Sequence, residues 1–115
     1  MGEITFKEAI ELANSIIERF KKIEGKEWGI DGAMIELSKQ VGELSKLVMN
    51  YEGYYFKDRE KLDKQYLATK EKIGDELADI LFAIIRIAKH YNIDLIDAHI
   101  KARQEEDKFL KTKKV

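Results

Sequence analysis

Apolar residues recur along this chain at helical spacing. Between Thr5 and Gly25, the positions Ala9, Ile10, Ala13, Ile16, Ile17, Phe20 and Ile23 form one stripe of a first helix. Thr5-Phe6-Lys7-Glu8 has the form of a capping box at its start, and Gly25 is placed to end it. The stretch GKEWGIDG reads as a connector, with Asp31 expected to cap a second helix over about 31–50. That helix carries Met34, Leu37, Val41, Leu44 and Val48 on one face. Residues 51–68, YEGYYFKDREKLDKQYLA, are the least periodic; they read as a tyrosine-rich loop that turns helical again near Asp58. Thr69 is expected to cap a third helix reaching about Tyr91. Asn92 breaks the pattern, and Asp94 can cap a fourth helix reaching about Lys111, with a thin apolar stripe of Ile96, Ile100, Phe109 and Leu110.

The third helix is unlike the others. From Leu77 to Ala88 it is apolar on nearly every side, and such a helix has to be covered all round. A chain of 115 residues is one domain, 1–115, and a short hairpin plus a polar fourth helix offers little cover. The expected fold is therefore all-α, an antiparallel four-helix bundle-like protomer completed by oligomerisation as a homodimer or homotetramer.

Composition narrows the classes of function. Lys and Arg (21) nearly balance Asp and Glu (22), so the chain lacks the basic field by which nucleic-acid binders attract phosphate, and no nucleic-acid partner is expected. Cysteine is absent, which removes disulfides and thiolate metal sites. No apolar run reaches the roughly 18 residues of a membrane span, and no basic segment followed by an apolar stretch opens the sequence. Met-Gly at the start is a partial match to a myristoylation signal, but Phe6 stands where Ser or Thr is required. A cytoplasmic protein with no membrane partner is the expectation. The lack of proline and the 37% of charged residues suit a largely helical chain with an ion-pair-rich surface of the kind common in thermophiles.

Against this background the acids of the third helix stand out. Asp75, Glu76 and Asp79 lie at the start of its apolar segment and Arg86 in its middle. A buried carboxylate has to be paired, bound to metal or turned toward water. Glu36, Gln40 and Glu43 share one edge of the second helix, and Glu76 and Asp79 lie one turn apart on the third. Side by side, the two helices would aim several acidic or amide oxygens into one cleft, the donor set that Mg²⁺ or Mn²⁺ takes alongside substrate phosphates. The same spacing also suits solvated helix faces, and acids in a first helical turn are favoured by the helix dipole alone. Arg86 reads as half of a structural ion pair at a subunit interface, and His90 and His99 are isolated from any further ligand.

The order of the motifs adds a family. QVGEL at 40–44, DELADILF at 75–82 and NIDLIDAHIKARQEEDKF at 92–109 together resemble the MazG-like all-α nucleoside triphosphate pyrophosphohydrolases, over about Trp28 to Phe109. The resemblance implies an oligomeric antiparallel helical enzyme that binds Mg²⁺ through an ExxE and an ExxD motif. It would split a nucleoside triphosphate between its α and β phosphates, giving the monophosphate and pyrophosphate. Glu43 matches the second acid of ExxE, and Glu76 and Asp79 match both acids of ExxD. Lys101 falls where the family places a lysine, and Lys108 stands where an arginine is common, keeping the charge but losing the bidentate fork. Two positions depart from the pattern. Gln40 replaces the first acid of ExxE, and Glu105 stands where an asparagine is frequent.

The resemblance thus implies Glu43, Glu76 and Asp79 as catalytic acids, with Gln40 completing the metal set. Lys101 and Lys108 would hold the phosphates, and Trp28 with the tyrosines at 51, 54 and 55, Tyr54 among them, would supply stacking surface for a base. Gln40 leaves three formal negative charges where the family has four. The alternative expectation is accordingly a catalytically degenerate nucleotide-binding or regulatory module.

Overall fold

A computed structural model describes residues 2–26, 28–54 and 67–115 of the chain. The described residues form four α-helices: α1 (Phe6–Lys21), α2 (Ile30–Tyr51), α3 (Lys70–His90) and α4 (Leu95–Thr112). No strand occurs among them, so the fold class is all-α. The helical turn expected near Asp58 lies outside the described residues.

Local chemistry sets the helix ends. Thr5 Oγ1 accepts a hydrogen bond from the Glu8 amide at 3.0 Å while Glu8 Oε1 accepts one from the Thr5 amide at 3.3 Å, a complete capping box. Thr69 Oγ1 accepts from the Lys72 amide at 3.1 Å, and Asp94 Oδ1 from the Asp97 amide at 3.0 Å. Two expected boundaries move. α1 stops at Lys21, before Gly25, because the amides of Ile23 and Glu24 both bond back to the Phe20 carbonyl and close the helix without a left-handed residue. Ile23 thereby leaves the expected stripe and is 79% exposed. Asp31 is not the cap of α2; Gly29 holds that place with extended backbone and no side-chain bond, and Asp31 lies in the first turn.

Left-handed residues close the next two helices. Gly53 (φ 77°) ends α2, with the Tyr54 amide donating to the Met49 carbonyl at 3.0 Å and the Gly53 amide to Asn50 at 3.1 Å. Asn92 (φ 54°) ends α3 in the same pattern, Ile93 bonding to Ala88 at 2.8 Å. Asn92 breaks the periodicity because an asparagine tolerates this backbone conformation better than most residues.

The chain divides into two compact units, Met1–Gly25 with Ile85–Val115, and Lys26–Ile84. In the first, Ala13 and Ile17 of α1 and Ile85 and Ala88 of α3 are buried, and Lys89 pairs with Glu18 at 2.8 Å. The charged face of α4 carries the pairs Asp97–Lys101 and Asp107–Lys111, each at 3.0 Å, and Arg103–Glu106. In the second unit, Ala33 and Ala83 are buried and Leu37, Leu44 and Leu47 half-buried. The all-round apolar segment of α3 is covered on part of its circumference only: Leu77, Leu81 and Ile84 stay exposed, Leu77 at 53%. Met34, Val41 and Val48 of α2 are exposed as well.

One buried polar side chain registers the second unit. Asn50, near the end of α2, accepts a hydrogen bond from the Ala68 amide, just before α3, at 2.7 Å. Replacing Asn50 by Ala leaves that amide unpaired, a loss of about 1–3 kcal/mol. Thermal unfolding of Asn50→Ala is expected to show a midpoint lowered by at least several degrees, whereas an unchanged midpoint would show that this bond does not hold the two segments together.

Candidate functional site

Glu43 of α2 and Glu76 of α3 lie in one compact unit, the unit that also contains the Asn50–Ala68 bond. Glu43 lies seven residues before Asn50, and Glu76 eight residues after Ala68. The two carboxylates are close enough to repel, and Glu76 bears the result. Its Oε2 is buried and has no hydrogen-bond partner. Its pKa is raised above the ordinary glutamate value, first by desolvation, then by the charges of Asp79 and Glu43, with a smaller push from Asp75; Lys39 opposes them. The rest of the Glu76 side chain is half-exposed, Glu43 is half-buried and Asp79 is exposed.

Gln40 lies on the Glu43 edge of α2. Its Nε2 donates to Glu36 Oε1 at 2.8 Å, and Lys39 Nζ approaches Glu36 Oε2 at 3.4 Å. Spacing within α2 places Glu36, Gln40 and Glu43 on a common edge, but the position of Lys39 as a cation facing Glu76 escaped sequence reasoning. Its three-residue step from Glu36 was the available signal.

The remaining expected residues are placed less tellingly. Lys101 is paired with Asp97 and, like Lys108, is exposed on α4. Both belong to the unit that does not contain the acids. Trp28 lies against the first turn of α2; a Cβ on Gly32 would come within 3.2 Å of its Cε3, so the glycine makes room for the indole. Tyr54 is 74% exposed, and Tyr55 lies outside the described residues. A groove of about 590 Å³ in the first unit, floored by Ile10, Asn14, Ile85 and Ile96, contains none of the expected acids.

A hard divalent cation fits the α2–α3 cluster in charge and atom type: anionic oxygens, one of them buried and unbonded. Among the described residues no three carboxylate or imidazole side chains converge as a finished cage.

Comparison of the chain with protein-family models, curated proteins and solved structures returns no match. No helix among the described residues is long and apolar enough to cross a membrane.

A carboxylate whose folded pKa is raised destabilises the fold once it is charged. The destabilisation is absent below the unfolded pKa, grows as pH rises past it and is complete above the folded value. Glu18 behaves oppositely: Lys89 and Lys21 lower its pKa, so its contribution is present above the ordinary value and is lost as pH falls through the lowered one. Glu76→Gln is therefore expected to raise the melting midpoint of the metal-free protein at neutral pH by a few degrees, with no gain at acid pH. A lowered midpoint at neutral pH would mean that the Glu76 charge is compensated in the fold.

Proposed function

We propose that this protein is a Mg²⁺-dependent nucleoside triphosphate pyrophosphohydrolase, releasing pyrophosphate and a nucleoside monophosphate. The single observation that carries the reading is Glu76: a carboxylate with a buried, unbonded oxygen, crowded by two further acids on the edges the motif order designates. Burying a carboxylate oxygen without a partner is costly, and perturbed acids of this kind cluster at functional sites.

Glu43, Glu76 and Asp79 would hold the ion, with the Gln40 oxygen as a neutral fourth donor. When bound, Mg²⁺ (or Mn²⁺) supplies charge neutralisation on the phosphate oxygens and lowers the pKa of water. A carboxylate of the cluster takes the proton as the water oxygen bonds to the α-phosphorus. The bond from that phosphorus to the bridging oxygen breaks, and pyrophosphate leaves. Trp28 and Tyr54 offer flat surface to a base without selecting one.

The proposed working form is an oligomer of antiparallel bundles. Leu77, Leu81 and Ile84, with Met34, Val41 and Val48, are the apolar surface a second copy would cover. Equilibrium sedimentation is expected to give a dimer or tetramer, and Leu81→Glu to shift it toward the monomer. A monomeric wild type at micromolar concentration would overturn this part of the proposal.

Gln40 favours a second reading, in which the chain binds nucleotides without turning them over. A panel of ribo- and deoxynucleoside triphosphates with Mg²⁺ or Mn²⁺ separates the two. Pyrophosphate release, increased at least tenfold by Gln40→Glu, is the expected outcome; release of orthophosphate, or no turnover by either protein, counts against the enzyme. Saturable nucleotide binding in the absence of turnover would favour the binding module.

A further inference from the structure

We infer that Glu36 is a positioning residue that fixes the orientation of the Gln40 amide, leaving its oxygen as the end available to a cation. The inference rests on the metal-site reading above and concerns the position at which this chain departs from the motif.

An amide side chain has a donor end and an acceptor end, and rotation by half a turn exchanges them. An isolated glutamine beside a metal site would spend part of its time presenting N–H₂, which no cation accepts as a ligand. A carboxylate neighbour removes the ambiguity, because an ionised carboxylate only accepts hydrogen bonds. Glu36 Oε1 lies 2.8 Å from Gln40 Nε2 across one helical turn, in a part-buried setting. Only the nitrogen of Gln40 can occupy that contact. Its Oε1 is consequently the free end, on the edge of α2 that also carries Glu43.

The other oxygen of Glu36 is also engaged, with Lys39 Nζ at 3.4 Å, so the carboxylate is held from two sides. Lys39 in turn opposes the charge crowding at Glu76, so it is electrostatically coupled to both Glu36 and the cluster. The arrangement also accounts for the residue type at 40. A glutamate there would face Glu36 as a like charge one turn away, which is destabilising in a helix, whereas the amide donates to it. Glu36 and Gln40 together thus present one neutral ligand oxygen, held in place by a carboxylate one hydrogen bond away. Neighbours that orient metal ligands in this way typically contribute 10–100-fold to affinity.

The test uses the full chain and Mn²⁺ alone, with affinity read from electron paramagnetic resonance of the free ion. Glu36→Ala is expected to weaken Mn²⁺ binding about tenfold. In a Gln40→Ala background the same change is expected to have no further effect, since Glu36 acts through Gln40. In the metal-free wild type, the Gln40 side-chain N–H₂ is expected to show one hydrogen-bonded, exchange-protected proton by NMR, lost in Glu36→Ala. Equal losses in both backgrounds would overturn the inference, because Glu36 would then act by its charge alone. Unchanged affinity in Glu36→Ala with binding abolished in Glu76→Gln would overturn it while keeping the metal site. Unchanged affinity in both variants would overturn the metal site, and this inference with it.

Discussion

The 2.7 Å bond between the Ala68 amide and Asn50 Oδ1 ties the end of α2 to the residues just ahead of α3. Both segments belong to the unit that also contains the acid cluster. Helices have a fixed rise, so a tie between their ends limits which levels of the two can lie side by side. Glu43 of α2 and Glu76 of α3 are near enough for the charge of Glu43 to raise the pKa of Glu76. The register is held by a buried polar bond, which is satisfied in one arrangement only; apolar contacts alone would tolerate a slip.

Once the register is fixed, electrostatics follows. Glu76 loses hydration at one oxygen and gains no hydrogen bond in return, while Asp79 and Glu43 add repulsion. Lys39 offsets part of this from the next turn of α2. The cluster is thus built with an excess of negative charge over compensation, concentrated on one carboxylate. Further along α3, Ala83 in the same unit and Ile85 and Ala88 in the other are buried. Stability and site chemistry are set on different stretches of one helix.

Much of this was legible in the sequence. The capping residues Thr5, Thr69 and Asp94 were, because a short polar side chain before a periodic run has one economical use. The common edge of Gln40 and Glu43 was, because helical spacing determines it. Asp31 misled, since an acid near a helix start serves either as cap or as first-turn charge and the spacing does not say which. Gly25 misled because α1 closes on the Phe20 carbonyl without needing glycine's backbone freedom. The bond between Asn50 and Ala68 was illegible: it joins residues eighteen positions apart, and no local pattern encodes it. Lys39 was overlooked because a lysine on a helix surface is unremarkable until its neighbour across the helix pair is known. Lys101 and Lys108 belong to the unit without the acids, so the motif order alone relates them to the cluster.

Trp28 is the sole tryptophan of the chain, and it is seated against Gly32 in the unit that holds the acids. That unit therefore carries an intrinsic optical label that the other lacks. Indole fluorescence follows the loosening of α2 at its beginning, whereas far-ultraviolet dichroism sums over all the helices. Melting curves recorded by the two signals will superimpose if the whole chain loses structure in one cooperative step, and separate if one unit gives way first.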